Sequence, residues 1–120
     1  MALEFEDLDV WKLAEEISLI IYKDISHCRD FSYKDQLQRA CISIMNNIAE
    51  GYERNNPKEF RYFLRVSKGS SGEVRSMLHF GLSVGYITQP TYDLACGKLR
   101  ILSRMLYAFI NKISENISTA

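Results

Sequence analysis

The run Gln36-Leu37-Gln38-Arg39-Ala40-Cys41-Ile42-Ser43-Ile44-Met45-Asn46-Asn47-Ile48-Ala49-Glu50-Gly51-Tyr52-Glu53-Arg54 carries two neighbouring stripes. At about 3.6 residues per turn, Leu37, Cys41, Ile44 and Ile48 fall in line as a core seam. Beside it runs a second line of small and polar residues: Gln36, Ala40, Ser43, Asn47, Glu50 and Arg54. A solvated helix face would place Lys and Glu there, and a buried one would place Leu. Half-buried amide, carboxylate and guanidinium groups need partners, because an unsatisfied one costs on the order of 1–3 kcal/mol. The second stripe is therefore expected to bond a neighbouring helix, another subunit or a ligand.

The same run carries a resemblance. Its pattern of Gln36, Arg39, Ala40, Ser43, Ile44, Asn47, Ile48, Ala49, Glu50, Gly51 and Arg54 is similar to that of a bacterial family. The members are four-helix-bundle proteins encoded in intervening sequences of 23S ribosomal RNA genes. The accessory proteins of diversity-generating retroelements are similar as well. The likeness extends from Phe5, Leu8, Val10 and Trp11 through Gly69, Ser70 and Glu73 to the last helix. It implies a helical bundle that forms a ring-like homo-oligomer, a pentamer above all. It also implies a non-catalytic binder of RNA or DNA that assists a nucleic-acid-processing protein partner.

Working outward from the central run, the periodicity alone predicts the remaining helices. Upstream, Val10, Leu13, Ala14, Ile17, Ile20, Ile21 and Ile25 form one apolar face of a helix near 7–28, capped by Asp7 or Asp9. Trp11 lies beside that face and is expected to close one end of the core. Ser32 followed by Asp35 reads as a capping box for the second helix, near 33–54, with Gly51 near its end, where a left-handed residue is commonly wanted. Asn56, Pro57 and Glu59 form a clear restart.

The third helix turns on Lys68-Gly69-Ser70-Ser71-Gly72, a loop by propensity, since each helical glycine costs about 1 kcal/mol relative to alanine. Phase decides against a loop. Phe60, Leu64, Ser67, Ser71, Val74, Leu78 and Leu82 hold one register straight through the glycines. A single helix near 57–85 follows, its small residues admitting another backbone. Ala95, Leu99, Leu102, Leu106, Phe109, Ile113 and Ile117 define a fourth helix near 90–117. The expected fold is all-α, an antiparallel up-down-up-down four-helix bundle occupying residues 1–120 as one domain.

Composition narrows the function classes. The content of 47% hydrophobic and 25% charged residues is that of an ordinary globular protein. No run approaches the roughly 18 apolar residues of a membrane span, so no membrane partner is expected. The N-terminus lacks a signal-peptide layout. Cys28, Cys41 and Cys96 are three in number without a Cys-x-x-Cys pair, which argues against disulfides and zinc and fits the cytoplasm. Cys41, on the seam, reads as a small hydrophobe. His27 and His79 lack partners for nucleophilic catalysis or a di-iron site, and Glu50 with Glu73 reads as ion-paired rather than catalytic. No enzyme activity, metal or cofactor is expected.

The feature above background is a basic stripe. Lys58, Arg61, Arg65, Lys68 and Arg75 lie on one flank of the third helix, with Arg54 just before it and Tyr62 near enough to stack on a base. Residues 1–32 carry a net charge of −5, residues 33–75 of +3 and residues 76–120 of +2. The stripe therefore has three readings: a phosphate-binding row for structured RNA or DNA, a subunit interface answering the acidic first segment, or a solvated face. The overall pI of 6.7 weighs against a dedicated nucleic-acid binder. The alternative function is a homo-oligomeric protein–protein scaffold. Asn47, Glu50 and Arg54 are expected to cluster with Arg39, or with Ser70 and Glu73, and to hold the second and third helices in register. Gln36 and Ser43 belong to the same polar set.

Overall fold

In the computed structural model, which describes residues 3–119, a 3-10 turn over Phe5–Asp7 precedes four helices. These are α1 (Asp9–Ile25), α2 (Phe31–Glu53), α3 (Pro57–Val84) and α4 (Gln89–Thr119). Each helix packs on its sequence neighbours, and α1 closes the circle against α4; among the described residues the diagonal pairs α1/α3 and α2/α4 bring no Cα atoms within 8 Å of each other. The contacts run in opposite order along the α2/α3 and α3/α4 pairs. Tyr33 at the start of α2 bonds Met77 late in α3, Ser43 meets Ser70 midway, and Gly51 near the end of α2 lies against Phe60. His79 meets Tyr92, and Arg61 meets Ser114, in the same antiparallel sense on α3 and α4. The result is an antiparallel four-helix bundle, 50 × 23 × 21 Å.

The apolar faces read from periodicity line the core. Ile17, Ile21, Leu37, Ile44, Ile48, Leu64, Leu78, Leu99 and Leu106 are all fully buried. Each such side chain contributes about 1.5–3 kcal/mol on leaving water. Trp11 is half-buried and packs edge-on against Phe5 at 5.4 Å, sealing the core beside the N-terminal turn.

α3 continues through its glycines. Gly69 and Gly72 face open space, with nothing within 4 Å of where a Cβ would sit. They do not admit a neighbouring backbone; the serines do. Ser67 is wholly buried and donates to the Ile44 carbonyl of α2 at 2.8 Å, while buried Ser71 donates to Lys68 in its own helix at 2.7 Å.

Three helix ends differ from expectation. α1 starts after Leu8 without a side-chain cap; Asp9 lies inside its first turn, and Asp7 instead accepts from the Glu4 amide at 2.9 Å. α2 is capped by Asp30, whose Oδ1 accepts from Tyr33 N at 3.1 Å, two residues ahead of Ser32. Asp30 wins because Tyr86 also donates to its Oδ2 at 2.8 Å, a partner supplied by the distant α3–α4 connection. Gly51 is not a left-handed terminator. It is buried in α2 where a Cβ would lie 2.7 Å from Phe63 Cβ, and Asn55 takes the positive φ of 51° instead. Asn56 caps α3 as expected, accepting from Glu59 N at 3.0 Å, and Gly85 ends it at φ 83°.

Candidate nucleic-acid interface

The basic flank of α3 is fixed by the phase of its core face. Leu64, Ser67, Ser71, Val74 and Leu78 point inward, so Lys58, Arg61, Arg65, Lys68 and Arg75 turn towards the α4 side of the bundle. Arg61 marks that direction by donating to Ser114 Oγ of α4 at 3.2 Å. Lys58, Arg65 and Arg75 are exposed, and Arg61 and Lys68 are half-buried. Tyr62 is exposed and stands edge-on to Phe63 at 5.2 Å.

Arg54 differs from the rest. Its guanidinium lies 3.5 Å from Glu50 and 3.2 Å from Glu59, and 5.0 Å above the Phe63 ring, bracing the α2–α3 turn. No other member of the stripe forms an ion pair among the described residues. The acidic helix α1 leaves them uncompensated too, because it sits diagonally across the bundle from α3. Its Glu16 pairs with Lys98 of α4 at 3.3 Å, and Asp24 accepts from the Thr88 amide at 3.0 Å, ahead of α4.

The polar stripe of α2 divides into three separate groups. Ser43 Oγ and Ser70 Oγ share a hydrogen bond of 2.9 Å, and Asn47 Nδ2 donates to the Ser43 carbonyl at 2.7 Å and to Ser43 Oγ at 3.0 Å. This group ties α2 to α3. Glu50 belongs with Arg54 at the turn. Arg39 pairs with Asp35 at 2.8 Å in full solvent, away from Asn47 and Glu50, because the shorter i,i+4 reach wins. Gln36 and Glu73 are exposed, and Glu50 is too, so no carboxylate pair forms in the core.

Side chains of α4 join the basic flank across the helix pair. Arg100 of α4 lines the same groove as Arg75, and both guanidiniums act on the thiol of Cys96, whose pKa burial raises and the two cations draw down. Tyr92 bonds His79 there at 3.2 Å. Their only sequence signal is a pair of arginines, Arg100 and Arg104, one turn apart. The approach to Arg75 arises when α3 and α4 dock, which neither helix encodes alone.

The family model described as 23S rRNA-intervening sequence protein matches residues 6–108. No curated protein matches the chain. A similar solved structure is that of a protein with unknown function from the S23 ribosomal protein family of Bacteroides thetaiotaomicron VPI-5482. It aligns with a TM-score of 0.76 at 22% identity, over 84% of this chain and 97% of that one. At that identity the likeness is one of fold.

Proposed function

The chain belongs to the family of 23S rRNA-intervening sequence proteins, and from that premise we propose that it is a non-catalytic, oligomeric bundle protein that binds structured RNA or DNA in the cytoplasm. Lys58, Arg61, Arg65, Lys68 and Arg75 contact phosphates, largely without reading bases. Arg54 starts the row while bracing the turn. A nucleic-acid-processing protein is the partner this role serves.

The observation that carries the reading is the uncompensated row. Five cations lie along one helix, none in an ion pair among the described residues, while the chain's net charge is zero. Lys58 to Arg75 covers about 26 Å of helix axis, enough to follow a phosphate backbone over several nucleotides. The test is binding of a labelled RNA hairpin and a DNA duplex to the wild type and to Arg65→Glu with Lys68→Glu. Loss of binding with an unchanged oligomer supports the row. Arg61 is a poorer choice, since its bond to Ser114 also joins α3 to α4.

A second reading is favoured by one specific feature. The acidic helix α1 and the basic helix α3 occupy diagonal corners of the bundle. Head-to-tail contact between copies would match acid to base and close a ring, with a pentamer the form favoured. In that scaffold the double substitution dissociates the oligomer, and wild type binds no nucleic acid.

A further inference from the structure

The stripe leads into a recess that a row of phosphodiester contacts does not explain. Gly72, Arg75, Ser76 and His79 of α3 face Tyr92 and Arg100 of α4 across about 450 Å³, with buried Cys96 beneath. Among the described residues neither arginine has an ion-pair partner. One carboxylate, Asp93, also acts on the Cys96 thiol, and it accepts a hydrogen bond from Gln89 Nε2 at 2.9 Å. The hydrogen bond between His79 Nδ1 and the Tyr92 hydroxyl holds both rings at the edge. Gly72 keeps the mouth wide, because no atom outside its own helix backbone and chain neighbours lies within 4 Å of its Cβ position.

The donor set is matched to a phosphate with more charge than a diester. Two guanidinium forks and the Ser76 hydroxyl line it from two helices, and the His79–Tyr92 pair, already bonded to each other, leaves one further donor at the edge. A phosphodiester offers a single charge, whereas a monoester carries about −1.5 to −2 at neutral pH and three acceptor oxygens. Guanidinium forks bind such groups bidentately, and a low density of carboxylates keeps the field positive. We propose that this recess seats the terminal phosphate of a nucleic-acid strand lying along α3, so that the protein prefers phosphorylated strand ends. The proposal rests on the nucleic-acid reading above and adds an end specificity that the row alone lacks.

The test uses one RNA hairpin with short overhangs in three forms: 5′-phosphate, 3′-phosphate, and hydroxyl at both ends. Fluorescence anisotropy should give about tenfold tighter binding for one of the phosphorylated forms than for the hydroxyl form. The form that gains identifies which strand end enters. Arg100→Ala should bring that ratio to about one. Gly72→Asp, which places a carboxylate at an open mouth without disturbing packing, should do the same, with circular dichroism confirming the fold. Arg65→Glu should weaken all three forms together and keep the ratio. Equal affinities for the three forms overturn the proposal while leaving the nucleic-acid reading standing. A ratio that survives both recess variants overturns the assignment to this site. Absence of binding in all three overturns both.

Discussion

At Gly51 two aromatic side chains of α3 close on the α2 backbone. An added Cβ would lie 2.7 Å from Phe63 Cβ and 2.9 Å from Phe60 Cδ1. Gly51→Ala should therefore destabilise the bundle by about 1–3 kcal/mol, an overpacking cost, measured by urea unfolding. An unchanged midpoint would mean the helices separate freely there. The sequence placed Gly51 beside a helix end and so invited the left-handed reading; the partner it accommodates lies on another helix. Asn47 is similar. Its bonds run to Ser43 one turn back, and it is only half-buried, so Asn47→Ala should cost about 0.5–1.5 kcal/mol, the lower part of the range for a buried amide. Periodicity identified the polar stripe, but the choice between Asp35 and Glu50 as partner for Arg39 depends on distances of a few ångströms, which spacing does not carry.

Cys41 and Tyr33 set an alkaline limit. Burial pushes the Cys41 thiol up from an ordinary 9.0 to about 12, and the Tyr33 hydroxyl from 10.0 to about 12. The folded chain keeps these protons longer than the unfolded chain does. Stability is thus full below pH 9 and declines as pH rises from 9 to about 12. Unfolding free energy measured across that range should fall, and the Cys41→Ala variant should show a shallower decline. A flat profile would contradict the burial of both groups.

At the scale of elements, α3 shows what a sequence does and does not encode. Its core register ran unbroken through Gly69 and Gly72, so continuity was legible although local propensity opposed it. The purpose of the glycines was not, because whether a neighbour approaches is a property of the assembled bundle. Both face open space, so Gly69→Ala should stabilise the protein by about 0.5–1 kcal/mol through helix propensity and a restricted unfolded chain. Thermal denaturation reads this directly, and a lowered Tm would point to a contact at that face. The start of α2 shows the opposite case. Ser32 and Asp35 carry the local capping signal, and Asp30 displaces them with the help of Tyr86, more than fifty residues along the chain.

At the scale of the molecule, the four apolar faces sufficed for the bundle because each buries one stripe against two neighbours. The candidate interface was legible in half. The row on α3 is a pattern within one helix and can be counted from spacing. The fate of each cation, with Arg54 spent at the turn, Arg61 tied to α4 and Arg75 opposite Arg100, depends on the docking of three helices. That division fixes the central claim, which is that the α3 cations outside ion pairs meet phosphates. The decisive measurement is the salt dependence of binding to a DNA duplex and to an RNA hairpin. With Lys58, Arg61, Arg65, Lys68 and Arg75 each displacing a counterion, log affinity should fall against log salt with a slope of about −3.5 to −4.5. Arg65→Glu with Lys68→Glu should roughly halve that slope or abolish binding while the mass in solution is unchanged. No binding at low salt, or a slope near zero, would contradict the account.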